Sequence, residues 1–421
     1  MTKTARTAGP SRRRQLLAGI AGNVLEWYDF AVYGFFASII AQQFFPSDNP
    51  SVSLIAAFGA FAAGFLMRPV GAAVFGHIGD RFGRVKALKL SVLCMAIPTF
   101  LIGLLPTYEQ IGVAAAVLMV LLRMLQGLAV GGEYTSSIVF LAEGAPPTRR
   151  GFFASWSTFG ATGGILLGSA TGAFLNAVLD PEAVASWGWR VAFIAGITVS
   201  VTAYFIRRGL GEIATDHDNK PPILTAFREH GKDIFRIVGL NVVYAVTFYL
   251  IFVYVVTWLD TQVGQSRERA LEINTISMVL LLILTPVSAR LSDIWGRKKQ
   301  IVSGIAALTL FAWPLLQLMH HQDFWVSLCG QMVLVVIVAW FTAPIPAQMV
   351  ETFPHHIRVT AVSISYNLTF AVFGGTSPMV AVWLIERTHD DLAIAWFIIA
   401  AGVFSFLIAL TLTDRSKQAL E

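Results

Sequence analysis

Charge is what this sequence has least of. Asp, Glu, Lys and Arg make up only 13% of its 421 residues, about half the roughly 25% of an ordinary soluble domain. Cysteine is nearly absent. Cys94 and Cys329 lie far apart, each inside an apolar run, so no disulfide and no CxxC metal site is expected. The sequence has no phosphate-cradling loop, no metal-ligand spacing and no nucleophile–base arrangement. Its histidines His320, His321, His355 and His356 fall at the ends of apolar runs, where solvated tips are the ordinary explanation. These absences argue against an enzyme. The net charge of +5 does not suggest nucleic-acid binding, because the basic residues form short clusters between apolar segments.

What is present is oil: 56% of the residues are hydrophobic and the mean hydropathy is +0.67. Apolar segments fall near 16–45, 52–76, 87–106, 111–142, 151–178 and 188–207, then near 234–260, 270–290, 300–319, 324–350, 359–386 and 392–412. Each is long enough to cross a hydrocarbon core about 30 Å thick. Alternate connections carry 24 of the 30 lysines and arginines, whereas the opposite connections hold only Arg190, Arg267, Arg269 and Arg387. Basic loops stay in the cytoplasm, so both termini are expected there. That requires an even number of spans, and twelve fits. The basic start "MTKTARTAGPSRRRQ" reads as a cytoplasmic tail, not a removable signal peptide. The polar loop 208–233, containing Pro221-Pro222, is read as the linker between a bundle over 1–207 and a second over 234–421.

The halves repeat one another. "GHIGDRFGRVKAL" follows the second span and "ARLSDIWGRKKQI" the eighth, which places Asp80 and Arg84 against Asp293 and Arg297 at an offset of 213. Glu143 is followed seven residues later by Arg150, and Glu351 seven later by Arg358, at an offset of 208. Two matches at nearly equal offsets imply two related six-helix halves, the pattern of carriers whose bundles rock about a midplane site. These eight residues are expected to gate the cytoplasmic side through charge pairs and helix-end contacts, away from substrate.

The loop "DRFGR" resembles the signature of the major facilitator superfamily. "GNVLEWYDFAVYGFFA", "FAAGFLMRPVGAAVFGHIGDRFGR", "RMLQGLAVGGEYTSS", "WGWRVAF" and "YNLTFAVFGGTSP" resemble, more narrowly, its metabolite:proton symporter family, which carries proline/betaine, 2-oxoglutarate, shikimate or citrate. The resemblance implies an all-α integral membrane fold with twelve transmembrane helices in two pseudo-symmetric six-helix bundles, alternating access, and a bacterial inner-membrane location. It departs from the proline/betaine osmosensor in one respect: "DRSKQALE" shows no heptads, so osmotic sensing by a C-terminal coiled coil is not expected.

Five charges remain inside the spans of the first half. Glu26 lies twelve residues beyond Arg14, roughly 18 Å along the helix and near the bilayer centre. A charge there costs at least about 2.5 kcal/mol, so it must meet a partner or water. Asn23, Glu26, Asp29 and Tyr33 share one face by spacing, and Arg68 on the second span is expected to pair with Asp29 or Glu26. On the fourth span Arg123, Gln126, Val130, Glu133, Tyr134 and Ser137 form a stripe, with Gly127, Gly131 and Gly132 allowing close helix approach. Three acids against two bases leave one carboxylate without a permanent partner, as a proton carrier requires. Glu26, Asp29 and Glu133 are therefore the expected proton-coupling groups, and Arg123 the anchor for a substrate carboxylate, unless Glu133 neutralises it.

The second half offers neutral groups instead: Asn241, Tyr244, Gln331, Tyr366 and Asn367. Substrate contacts are expected from Tyr33, Gln126, Tyr134, Asn241, Tyr244, Tyr366 and Asn367. Trp187, Trp189 and Arg190 are read as an interfacial belt, and Pro344 and Pro346 as a kink. The expected function is proton-coupled import of a small organic acid such as a di- or tricarboxylate. A zwitterionic osmolyte is the alternative, since quaternary amines favour aromatic cages. A drug exporter would want a mainly apolar pocket and fits less well. No cofactor is expected beyond the coupling proton, no metal and no nucleic acid; the partners are a small-molecule substrate and membrane lipid, with the protein a monomer.

Overall fold

The computed structural model describes residues 12–208 and 222–420, apart from 83, 131 and 132. Helices account for almost all of it. The first bundle contains α1 (12–44), α2 (50–82), α3 (Arg84–Leu104), α4 (Val113–Glu143), α5 (Arg150–Val178) and α6 (Trp189–Arg208). The second contains α7 (222–261), α8 (Arg267–Trp295), α9 (Arg297–Met319), α10 (Phe324–Thr352), α11 (Arg358–Thr388) and α12 (Ala393–Leu410). Among the described residues, nine helical segments are long and apolar enough to cross a membrane by length and composition alone. The other three rods are α1, which carries Glu26 and Asp29, together with α3 and α6. Helix α7 begins at Pro222, inside the stretch read from sequence as loop, and bends at His230, whose φ of −126° is not helical.

The packing repeats as the sequence does. In the first bundle α1 packs on α5 and α6, α2 on α4, and α3 on α4 and α6. In the second, α7 packs on α11 and α12, α8 on α10, and α9 on α10 and α12. The bundles meet along two mirrored seams, α5 with α8 and α2 with α11.

Loop chemistry sets the turns. Asn49 accepts from Ser51 N ahead of Pro50, and Asp323 accepts from the N–H groups of Trp325 and Val326; both are N-cap bonds. Gly296 joins α8 to α9 at φ 102°, a region costly for residues with a Cβ. Its place in "DIWGRK" is thus dictated by the turn.

Close helix approach fixes the first bundle. A Cβ on Gly127 would lie 1.8 Å from the Gly64 carbonyl oxygen, and one on Gly71 would lie 2.0 Å from that of Leu128. Helices α2 and α4 therefore touch backbone to backbone, which brings Arg68 and Arg123 into one layer. Gly127→Ala must push them apart. Overpacking typically costs about 1–3 kcal/mol, so a clear drop in the thermal midpoint of the purified protein is expected, whereas Gly231→Ala, with open space around its Cβ, should leave the midpoint unmoved.

Candidate substrate and proton site

Helical breaks cluster around the buried charges. Helix α2 is interrupted at Met67, just before Arg68-Pro69, and α4 at Val130. Helices α7 and α11 each carry a π-helical turn, Leu250–Tyr254 and Phe370–Gly374, and α10 breaks between Thr342 and Ile345 where Pro344 and Pro346 stand. Irregular backbone at membrane depth belongs where protein covers it, and π turns recur at functional sites.

Leaving aside Arg150 at the start of α5, the four described buried charges of the first bundle divide into one pair and two singles. Arg68 Nη2 donates to Glu26 Oε1 at 3.3 Å, both buried. This resolves the choice left open by the sequence in favour of Glu26. Asp29 turns elsewhere. Its Oδ2 lies 2.7 Å from Thr99 Oγ1 on α3, and its Oδ1 would lie 2.9 Å from a Cβ on Gly196 of α6. No guanidinium stands within 4 Å of it among the described residues. The single face expected for Asn23, Glu26, Asp29 and Tyr33 is accordingly split. Asn23 Nδ2 donates to Ser137 Oγ and to the Ser157 carbonyl, and the Tyr33 hydroxyl donates to the Ala57 carbonyl. Helix α1 is surrounded by its own bundle, so each residue of the stripe meets a different neighbour.

Arg123 is fully buried. Its Nη1 donates to Gln126 Oε1 at 2.7 Å, while Nε and Nη2 have no hydrogen-bond partner among the described residues. The guanidinium carbon sits 4.4 Å from the Tyr33 ring centroid, 4.7 Å from Phe30 and 5.3 Å from Phe61, within cation–π range. The Tyr249 hydroxyl, also buried, likewise has no partner among the described residues. Tyr249 stands edge-on to Phe61 and Phe65 of the first bundle and to Phe370 of the second. Tyr134 and Tyr366 face each other across the bundles at 4.8 Å, and Phe370 stacks on Tyr366 at 4.1 Å. Tyr244 completes the wall, edge-on to Phe370, while the Tyr134 hydroxyl bonds Thr158 Oγ1. The site thus combines a guanidinium with open donor positions and an aromatic wall contributed by both bundles.

Not every expected contact converges here. Asn241 Nδ2 donates to the Ile237 carbonyl of its own helix and lies 3.5 Å from Met349 Sδ, between α7 and α10. Asn367 Nδ2 donates to Ser363 Oγ, one turn back on α11. Both amide nitrogens make bonds within their own helix, as polar residues in membrane helices often do. Gln331 is spent on the Ile251 carbonyl in the α7 π turn. The side chain of Glu133 lies outside the described residues, as do those of Asp80 and Arg84. Trp189 is not in a belt: it is fully buried against Phe44 and Phe193, with Arg190 over its ring. Only Trp187 of that group is exposed. Thr99 and Tyr249 escaped the sequence reading. Thr99 follows Pro98 inside an apolar run, and a hydroxyl at that depth was the available signal.

At the side of the basic loops the repeated carboxylate–arginine spacing acts between the bundles and not within them. Glu143 Oε1 accepts from Arg358 at 2.6 Å, and Glu351 Oε1 accepts from Arg150 at 3.0 Å. Each half's acid therefore holds the other half's base. Arg297 joins Glu351 at 3.1 Å and Asp293 at 2.7 Å. Asp293 in turn accepts from the backbone N–H groups of Gly151 and Phe152 at the start of α5, where an anion is favoured. The Gln418 carbonyl also accepts from Arg150. On the opposite side, Glu386 of α11 accepts from Ser51 of α2 and from its N-cap Asn49, and Arg267 of α8 bonds Ser38 and the Phe35 carbonyl of α1. The bundles are latched at both ends around the central site.

Two six-helix bundles meeting around a buried polar cluster are the architecture of a secondary transporter, not of an enzyme. A sugar (and other) transporter family model matches residues 15–212, and a Major Facilitator Superfamily model matches 237–420. The glycine betaine/proline/ectoine/pipecolic acid transporter OusA of Dickeya dadantii is 33% identical over 97% of this chain and 85% of its own length. A putative proline/betaine transporter of Staphylococcus aureus is 35% identical over 94% of this chain and 87% of its own. The solved structure of a D-xylose-proton symporter superposes with a TM-score of 0.76 at 21% identity, covering 97% of this chain and 99% of that one. The chain belongs to the major facilitator superfamily, within its metabolite:proton symporter family, and is a multi-pass membrane protein.

Proposed function

We propose that this protein is a proton-coupled importer of a zwitterionic osmolyte of the proline/betaine kind. One observation carries this reading: buried Arg123 keeps two donor positions without a partner among the described residues, beside an aromatic wall. Leaving buried donors unmet costs about 1–3 kcal/mol each, a cost that a bidentate carboxylate removes. The rings of Tyr134, Tyr244, Tyr249, Tyr366 and Phe370 suit an alkylated ammonium.

Charge count favours the zwitterion over the di- or tricarboxylate expected from sequence. Arg68 is already matched by Glu26, so Arg123 is the guanidinium of the site with no carboxylate within 4 Å among the described residues. A ligand of zero net charge matches it without bringing further negative charges into a buried site. The names of the relatives point the same way. Asp29, held by a neutral hydroxyl, is the coupling acid in this account, and Glu26 a structural partner of Arg68. The basic-loop side faces the cytoplasm of the bacterial inner membrane, with both termini there.

Proteoliposomes with an imposed pH gradient test the substrate. Labelled proline or glycine betaine is expected to accumulate, and unlabelled citrate not to compete; competition by citrate with no uptake of either zwitterion would reverse the assignment. The crossed latches give a second prediction. Glu351→Gln leaves Arg150 and Arg297 facing each other without their carboxylate, and breaking a buried pair typically costs about 3–5 kcal/mol. The bundles should separate on the basic-loop side, seen as longer spin-label distances across that face; unchanged distances would remove Glu351 from the gate.

A further inference from the structure

Asp29 and Arg123, an acid and a base in electrostatic reach of one another, are kept apart by two neutral side chains. Asp29 Oδ2 lies 2.7 Å from Thr99 Oγ1; Gln126 Nε2 donates to the same Oγ1 at 2.7 Å; Gln126 Oε1 accepts from Arg123 Nη1 at 2.7 Å. Thr99 Oγ1 is also 2.8 Å from the Met95 carbonyl. We propose that Thr99 and Gln126 form a spacer that holds Arg123 off Asp29 while the acid is protonated, so that the guanidinium faces substrate, and that yields when the proton leaves. The inference rests on the roles just given to Asp29 and Arg123.

The count of protons supports it. A threonine hydroxyl has one hydrogen and two lone pairs. Around Thr99 stand one donor, Gln126 Nε2, and two oxygens, Met95 O and Asp29 Oδ2. With Asp29 protonated every contact has a hydrogen. Asp29 donates to Thr99, Gln126 donates to the second lone pair, and Thr99 donates to Met95 O. Once Asp29 is ionised, the one hydroxyl hydrogen cannot serve both oxygens, and one contact near 2.8 Å becomes oxygen against oxygen. The hydroxyl turns to the carboxylate and gives up Met95 O, or the carboxylate leaves. In either case an ionised acid with at most one hydrogen bond lies in protein beside a guanidinium whose Nε and Nη2 are unpartnered among the described residues. Their attraction is large at low dielectric, and closing it draws Arg123 from the substrate position.

No other described charge competes for Asp29. Helix α3 presents Thr99, α4 presents Gln126 and Arg123, α6 presents Gly196, and α1 itself contributes Tyr28. The arrangement links proton and substrate without a direct contact between them: protonation frees the anchor, and loss of the proton recaptures it.

The test is equilibrium binding of labelled proline and glycine betaine to the purified full-length protein from neutral to mildly acid pH. Gln126→Ala and Thr99→Val remove the spacer, so Arg123 pairs with Asp29. Binding should weaken about tenfold at neutral pH, the equivalent of 1.4 kcal/mol, and recover on acidification. Adding Asp29→Asn to Gln126→Ala should restore affinity, because the competing anion is gone, and Thr99→Ser should bind as the parent does. A purely structural role would lower the folded yield, leave the pH profile unmoved and show no rescue by Asp29→Asn. Wild-type affinity in Gln126→Ala, or an equally weak Asp29→Asn/Gln126→Ala protein, overturns the spacer. Undiminished binding by Arg123→Ala would instead overturn the anchor assignment, a separate outcome.

Discussion

Asp29→Asn is expected to abolish uphill accumulation while leaving substrate exchange intact. Asparagine reproduces the shape and charge of the protonated acid and can still donate to Thr99 Oγ1, which lies 2.7 Å from Asp29 in the parent. The carrier should therefore reorient with substrate, as the protonated form does, yet have nothing to release. For a one-proton symporter each unit of pH gradient is worth about 1.4 kcal/mol, a roughly tenfold accumulation ratio. In the variant that ratio falls to unity, while counterflow under equal pH persists. Glu26→Gln should behave differently. It strips buried Arg68 of its carboxylate, so folding and expression suffer before coupling does.

Arg123→Ala should be the most damaging change to binding. Hydrogen bonds to charged groups contribute about 1.5–3 kcal/mol, so affinity for proline or betaine should fall by roughly one to two orders of magnitude. Arg123→Lys keeps the charge but not the planar fork and should recover only part of it. Arg190→Ala is the control. That side chain donates to the Gly103 and Leu105 carbonyls and stacks on Trp189, away from the central rings. Equal losses from the two alanine variants, measured by equilibrium binding, would remove Arg123 from the site.

Twelve spans, their repeat and the residues carrying buried charge were legible in the sequence because lipid makes them costly and therefore conspicuous. Partnerships were not. Glu26 and Asp29 differ by three residues, only about 60° around a helix, so spacing could not say that one meets α2 and the other α3. The Glu143–Arg150 and Glu351–Arg358 spacings look internal to each half, yet each acid binds the base of the other copy. A repeat identifies equivalent positions and leaves open which copy pairs with which. Trp189 looked interfacial by its place at a span end, but tertiary packing against Phe44 and Phe193 overrides that position. Thr99 carries no charge and so raised no alarm, although it is the described group that holds Asp29.

Infrared difference spectroscopy on substrate addition examines the protonation of Asp29 directly. A protonated carboxyl band should respond to proline or betaine in the parent protein, persist in Glu26→Gln wherever that protein folds, and vanish in Asp29→Asn. A band that survives in Asp29→Asn, or a parent protein with no protonated carboxyl at any pH that supports transport, would contradict the claim that this side chain carries the coupled proton.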